Sequence, residues 1–76
     1  MLRMRIERER RGLSRAQVAR RADINPTSYG LVEDGRLKPY PVWEQRIAAA
    51  ISWPGEPASL FEEADDASAA ETENHA

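Results

Sequence analysis

The chain has 76 residues, of which 41% are hydrophobic and 32% are charged, with a formal net charge of −2, no cysteine and one histidine, His75. This length allows one small domain, and the missing cysteines exclude disulfides, thiol chemistry and cysteine–metal sites. The single histidine argues against histidine catalysis and a His-rich metal site, and no cofactor is expected. No apolar run approaches the roughly 18 residues that span a membrane, and the first residues lack the apolar segment of a secretory signal, so we expect a cytoplasmic protein.

The first predicted helix covers residues 1–11, which are mostly good helix formers and include neither glycine nor proline. Leu2 and Ile6 are one turn apart and are expected to face a core, with Met4 beside them. Gly12 follows and suits the left-handed backbone conformation that ends many helices.

The second predicted helix is short, about residues 15–22. Ser14 begins it and Gln17 follows three residues later, which is the spacing of a capping box between side chains and backbone. Its predicted inner face consists of the small residues Val18, Ala19 and Ala22. Small residues there allow a neighbouring helix to approach closely.

A third helix over residues 25–34 is predicted by Asn25 followed by Pro26, since asparagine caps helices and proline suits the first helical position. Gly30 inside this helix costs on the order of 1 kcal/mol relative to alanine, which favours a packing or contact role. The residues expected to face the core here are Ile24, Tyr29 and Val32.

A fourth helix is predicted near residues 41–51, and a last short helical turn at residues 57–61 is expected to return to the core. The apolar residues at helical spacing in the fourth helix are Trp43, Ile47, Ala50 and Ile51. No segment alternates with a period of two, so no strand is expected. The predicted fold is all-α, with five short helices in one domain, residues 1–61.

Residues 62–76 are predicted to be a disordered acidic tail, because from Glu62 onward no side chain larger than alanine is suited to a core. Residues 1–55 contain all 11 basic side chains and six acids, whereas residues 56–76 contain seven acids and no base. The tail either competes with phosphates for the basic domain or serves only solubility. Carboxylates without fixed geometry do not support catalysis, so we do not expect an enzyme.

Two short helices joined by about three residues can place the second helix in the major groove of DNA. Four fragments extend this pattern: Gly12-Leu13-Ser14-x-x-Gln17-Val18-Ala19, Ala22-x-Ile24-Asn25-Pro26-Thr27, Glu33-x-Gly35-Arg36-x-x-Pro39 and Ile47-Ala48-x-Ala50. Together they resemble the Cro/CI (XRE) helix-turn-helix family of phage repressors and bacterial regulators over roughly residues 2–61. The resemblance implies a phage-repressor-like bundle with residues 25–34 as the recognition helix.

The resemblance also implies which residues contact DNA. In the recognition helix, the residues that would face base edges are Pro26, Thr27, Gly30 and Leu31. Asn25 and Ser28 would lie near the DNA backbone. The implied contacts outside that helix are Arg10, Arg11, Arg15, Gln17, Arg36 and Lys38. For Gln17, a structural role in the capping box is at least as strong an interpretation as a DNA contact. Five of these contacts are basic: Arg10, Arg11, Arg15, Arg36 and Lys38. If each neutralises one phosphate, the logarithm of the DNA-binding constant K should fall with log salt at a slope of about −4 to −5.

Three further positions have structural interpretations. Arg8 and Glu33 match a family ion pair and are expected to bond inside the domain. Asp23 stands where a glycine or small residue is common in the turn, so a less usual backbone conformation is expected. Tyr29 replaces a smaller aliphatic residue and is expected to be buried in the core.

The leading hypothesis is a sequence-specific DNA-binding transcription regulator, a repressor or Cro-like protein that acts by occupying operator DNA. Family members bind double-stranded DNA as two-fold dimers, so a homodimer is implied. The alternative is a protein-interaction module of the same fold that docks on another regulator or on polymerase. Pro26, Gly30 and Leu31 favour the alternative because their side chains offer no hydrogen bonds to bases.

Overall fold

The computed structural model describes residues 1–65, which form four α-helices and one 3₁₀ turn. The helices are α1 (Arg3–Arg10), α2 (Arg15–Ala22), α3 (Pro26–Glu33) and α4 (Pro41–Ala50), and the 3₁₀ turn spans Pro57–Phe61. Over this range no strand is present, in agreement with the all-α prediction. The fifth predicted helix is therefore a 3₁₀ turn, and the other differences are confined to helix ends. None of the described helices has the length and apolar character needed to cross a membrane.

The beginnings of α2 and α3 are fixed by side-chain caps. The Ser14 hydroxyl accepts a hydrogen bond from the Gln17 N–H at 3.1 Å, and the Gln17 side-chain oxygen accepts one from the Ser14 N–H at 2.8 Å. The predicted capping box is thus confirmed. The Asn25 side chain accepts from the N–H groups of Thr27 and Ser28, so Asn25 caps α3 and is not part of it.

The connection between α2 and α3 is a tight turn centred on Asp23. Its φ of 58° lies in the left-handed region, which confirms the expected unusual backbone. The N–H of Ile24 then bonds to the carbonyl of Ala19 at 2.9 Å, and the isoleucine side chain is buried. The buried side chain anchors the turn, so the orientation of α3 relative to α2 is fixed by packing on both sides of it.

The core lies between α2, α3, α4 and the 3₁₀ turn, with α1 packed across that turn. Its buried members are Met4, Val18, Ala19, Ala22, Ile24, Tyr29, Val32, Ile47, Ala48, Ile51 and Leu60. This confirms the inward faces predicted for α2 and α3, including a fully buried Tyr29. In α4 the prediction is confirmed for Ile47 and Ile51, whereas Trp43 and Ala50 are only partly buried.

The N-terminus and residues 62–64 are joined by backbone hydrogen bonds. The N–H of Arg3 donates to the carbonyl of Glu62 at 3.0 Å, and the N–H of Ala64 donates to the carbonyl of Met1 at 2.8 Å. The terminal ammonium group also lies 3.2 Å from a Glu63 carboxylate oxygen. The segment predicted as a disordered tail, residues 62–76, therefore begins in an ordered contact, and its remaining residues, 66–76, lie outside the described residues.

Candidate nucleic-acid interface

The exposed face of α3 is a narrow stripe of side chains on successive turns. Thr27, Leu31 and Asp34 are exposed and follow one another at intervals of four and three residues, which places them on one side of the helix. The opposite side is buried through Tyr29 and Val32. We call the exposed set Thr27–Leu31–Asp34 the α3 stripe, and its orientation is fixed because the buried side is packed in the core.

The loop after α3 folds back on the end of the helix. Gly35 adopts the left-handed conformation with φ of 78°, and the N–H groups of Arg36 and Leu37 both donate to the carbonyl of Leu31. Arg36 and Lys38 are exposed, and neither forms an ion pair with any residue between 1 and 65. Two basic side chains that form no ion pair in this range thus lie directly beyond the α3 stripe.

Behind the stripe, α1 is tied to α3 by the predicted ion pair. Nε of Arg8 donates to the Glu33 carboxylate at 2.6 Å, and the same guanidinium donates to the carbonyl of Leu13 at 2.7 Å. The Glu33 side chain has 0% exposure, so this carboxylate is removed from water. The expected internal pair is confirmed, and it holds the end of α3 against α1.

Arg15 lies across the end of α3, where it bonds to two carboxylates. Its Nε lies 2.5 Å from a Glu33 oxygen, and its Nη2 donates to Asp34 at 2.8 Å. Its Nη1 lies over Gly30, 3.4 Å from where a β-carbon would stand. The hydrogen bond from Arg15 lowers the pKa of Asp34 below its ordinary value, and the same bond raises the pKa of Arg15. A β-carbon at Gly30 would make only an ordinary van der Waals contact with the guanidinium, so this contact does not by itself require glycine.

This arrangement of two capped helices with an anchored turn can be compared with known families. A protein-family model described as a helix-turn-helix domain matches residues 2–60. The chain belongs to the helix-turn-helix domain family. Neither curated proteins nor solved structures gave a match. The matched range includes α1 to α4 and most of the 3₁₀ turn.

Within this helix-turn-helix domain, Arg11 does not join the predicted DNA-contacting residues around α3. Its Nε donates to the carbonyl of Ile51 at 2.8 Å, and its Nη1 donates to the Glu7 carboxylate at 2.7 Å. The physical reason is the end of α4, where carbonyl groups lack partners within the helix and an arginine satisfies one. Arg10 lies on the same acid, with Nη1 3.6 Å from a Glu7 oxygen.

The remaining predicted contacts of the helix-turn-helix domain fall into two groups. Thr27, Leu31, Arg36 and Lys38 are exposed on or beside the α3 stripe. Ser28 is half-buried, while the side-chain oxygens of Gln17 and Asn25 are occupied by their capping bonds. No group of three or more potential metal-binding side chains occurs among the first 65 residues.

Asp34 is the functional candidate that the sequence analysis missed. It ends the α3 stripe, and Arg36 and Arg5 add to the electrostatic environment that lowers its pKa. Its partner Arg15 is 19 residues away in sequence. The available signal was helical spacing alone, which places Asp34 seven residues after Thr27 on the same face.

Proposed function

We propose that this helix-turn-helix domain is a sequence-specific DNA-binding transcription regulator of the Cro/CI type, a repressor or Cro-like protein acting in the cytoplasm. The observation that carries the proposal is the α3 stripe, exposed on a helix whose opposite side is fixed in the core. Such a helix fits the major groove, about 12 Å wide. Occupying operator DNA would block polymerase without a chemical step, a cofactor or a metal.

Base recognition would depend on few side chains. Thr27 and Ser28 offer hydroxyl groups, and Leu31, at 39% exposure, offers an apolar contact for a thymine methyl group. Asn25 retains its amide N–H groups because only its oxygen is used in capping. With so few direct readers, sequence-dependent DNA shape would contribute to the discrimination between sites.

Phosphate binding would be weaker than the sequence alone suggests. Arg11 and Arg15 are bonded to carboxylates, and Arg10 lies 3.6 Å from a Glu7 oxygen. This leaves Arg36 and Lys38 as the predicted phosphate contacts that form no ion pair among residues 1–65. Two neutralised phosphates correspond to a slope of log K against log salt of about −2, compared with about −4 to −5 for five.

The test is selection of bound duplexes from a random DNA pool at near-physiological salt, followed by sequencing. We expect enrichment of an inverted repeat, since two-fold dimers read half-sites one helical turn apart. Enrichment of a single half-site would support sequence-specific binding but contradict binding as a two-fold dimer. A pool that stays random while DNA is retained in a salt-sensitive way would contradict sequence-specific recognition.

A matched pair of variants locates the interface. Arg36→Gln should weaken binding to all sequences and reduce the salt slope by about one, as expected for a lost phosphate contact. Arg46→Gln is the control, because Arg46 is also exposed and forms no ion pair in the described part of the chain, but it lies on α4. Equal losses from both variants would contradict a DNA interface centred on α3.

The second candidate function is a protein-interaction module of the same fold, favoured by exposed apolar side chains in the segment that follows α3. Leu37, Tyr40 and Val42 are exposed by 36%, 62% and 50%. Beside them a cleft of about 470 Å³ is lined by Val32, Leu37, Pro39 and Phe61 among others. No DNA retention at low salt, together with capture of a regulator or polymerase subunit that Tyr40→Ser abolishes, would favour this module.

A further inference from the structure

The two carboxylates that bond to Arg15 differ in how firmly they hold it. Glu33 is fully buried and also accepts from Arg8, so its position is fixed by two guanidinium groups. The Asp34 side chain is 42% exposed, and its bond to Nη2 of Arg15 lies at the surface. Exposed ion pairs are weak and exchange partners readily, so the Asp34 bond is the one that a competing anion can replace.

The position of this bond places it where a DNA phosphate would approach. Arg15 is the first residue of α2, and Asp34 ends the α3 stripe. A guanidinium binds carboxylate and phosphate through the same planar arrangement of N–H donors. Asp34 therefore accepts a hydrogen bond from Nη2 of Arg15, and this is the donor group that a phosphate beside α3 would need.

We infer that Asp34 is an affinity-limiting residue that competes with a DNA phosphate for Arg15. In the free domain Nη2 bonds to Asp34; in the complex it transfers to phosphate, while Nε remains on Glu33. Each binding event then exchanges one ion pair for another, so Arg15 contributes little net affinity. This inference rests on the proposed DNA-binding function.

The central prediction concerns Asp34→Asn, which removes the competing charge and keeps a side chain of the same size. The variant should bind duplex DNA roughly three- to tenfold more tightly near 0.1 M salt. Its salt slope should be steeper by about 0.9, because Arg15 then pairs with the phosphate without freeing a carboxylate that takes up a cation from solution. Glu56→Gln is the matched control, since it removes one exposed acid outside the α3 stripe. Its affinity should change less than twofold.

Removing a negative charge near DNA also reduces simple repulsion, so the experiment needs a double-mutant cycle. Asp34→Asn is measured again in an Arg15→Gln background, where the exchange of ion pairs cannot occur. The gain in affinity should then fall to the level of the Glu56→Gln control. Thermal unfolding identifies a temperature at which all variants are folded, and Arg15→Met, which also lacks the charge, replaces Arg15→Gln if the latter is unfolded there.

The outcomes separate this inference from the proposed function. Wild-type binding with no gain for Asp34→Asn, or with a loss, overturns the competition and leaves the DNA-binding function intact. An equal gain in both backgrounds also overturns it, because repulsion alone would then explain the effect. Failure of every variant, including the wild type, to bind duplex DNA at the lowest salt refutes the proposed function itself.

Discussion

Glu33 is a single buried carboxylate that neutralises two guanidinium groups, those of Arg8 and Arg15. Glu33→Gln should lower the free energy of unfolding by about 3 kcal/mol, because it strands buried positive charge beside a neutral amide. Urea denaturation at neutral pH measures this loss. The control is Glu9→Gln, whose carboxylate is 46% exposed although it faces two arginines as well. A loss below about 1 kcal/mol for both variants would contradict the importance of burial.

Tyr29 carries a buried hydroxyl group with no hydrogen-bond partner among the described residues. Burial raises its pKa above the ordinary value of 10, and the charged groups around it are Glu33, Arg8 and Arg15. The folded state therefore requires the neutral phenol. Its contribution to stability is complete below about pH 10 and is lost as the pH rises further, since the unfolded chain ionises first.

Tyr29→Phe tests this hydroxyl group directly. We expect stability at pH 7 to stay constant or to rise by up to about 1 kcal/mol, because an unsatisfied buried polar group is removed. Above pH 10 the variant should lose less stability than the wild type, measured by urea titrations at several pH values. Tyr40→Phe, at an exposed tyrosine, serves as the control. A loss well above 1 kcal/mol at pH 7 would mean that the hydroxyl group is bonded in solution.

At the residue scale, sequence analysis identified contacts with a local or family pattern. The capping residues follow from spacing, the Arg8–Glu33 pair follows from the resemblance, and Tyr29 follows from helical periodicity. The Arg15–Asp34 bond was missed because its partners are distant in sequence and both residue types are common on exposed surfaces. The bond from Arg11 to the end of α4 was missed because nothing in the sequence indicated that this end would need a guanidinium, and the DNA contact of Arg11 stays a prediction.

At the scale of elements, the left-handed turn residue Asp23 connects α2 to α3. A β-carbon costs about 1 kcal/mol or more in this conformation, and glycine avoids that cost. We expect Asp23→Gly to be more stable than Asp23→Ala by about 1 kcal/mol, measured by chemical denaturation. At Ala49, an exposed position inside α4, alanine should instead be more stable than glycine. Ala49→Gly should therefore lower the free energy of unfolding by about 1 kcal/mol. If alanine were more stable than glycine at both positions, the left-handed conformation of residue Asp23 would be contradicted.

The elements themselves were predictable to within a residue or two at their ends. Proline and asparagine mark the beginnings of α3 and α4, and glycines mark the ends of α1 and α3. The last element could not be identified as a 3₁₀ turn, because residues 57–61 are too few to distinguish the two helix types by periodicity. The contact between residues 62–64 and the N-terminus was also missed, since backbone hydrogen bonds have no side-chain pattern.

At the scale of the whole molecule, this contact joins the two ends of the described range, residues 1–65. A chain ending at Asp65 should keep the stability of the full chain, whereas one ending at Phe61 should lose roughly 1–3 kcal/mol with its hydrogen bonds to the N-terminus. Paired denaturation curves measure the difference. Equal stabilities for the two shortened chains would contradict an ordered role for residues 62–64.

The longer of these two chains is also the appropriate one for testing the acidic tail. Ending the chain at Asp65 removes Asp66, Glu71 and Glu73 without disturbing the contact with the N-terminus. Competition between the tail and phosphates predicts tighter DNA binding by this shortened chain at low salt. A tail that serves only solubility predicts equal affinities.

The hydrogen bonds between Met1 and Ala64 also bring the two ends of the described range together, so that residues 1–64 form nearly a closed ring. A linker of a few residues would join these two positions without moving a helix. The ring can be opened again between Pro54 and Gly55, two exposed residues in the loop between α4 and the 3₁₀ turn. Such a circular permutation should keep the fold, because packing between helices holds it and the order of helices along the chain does not. It would also present the α3 stripe on a chain whose two ends emerge at a different place.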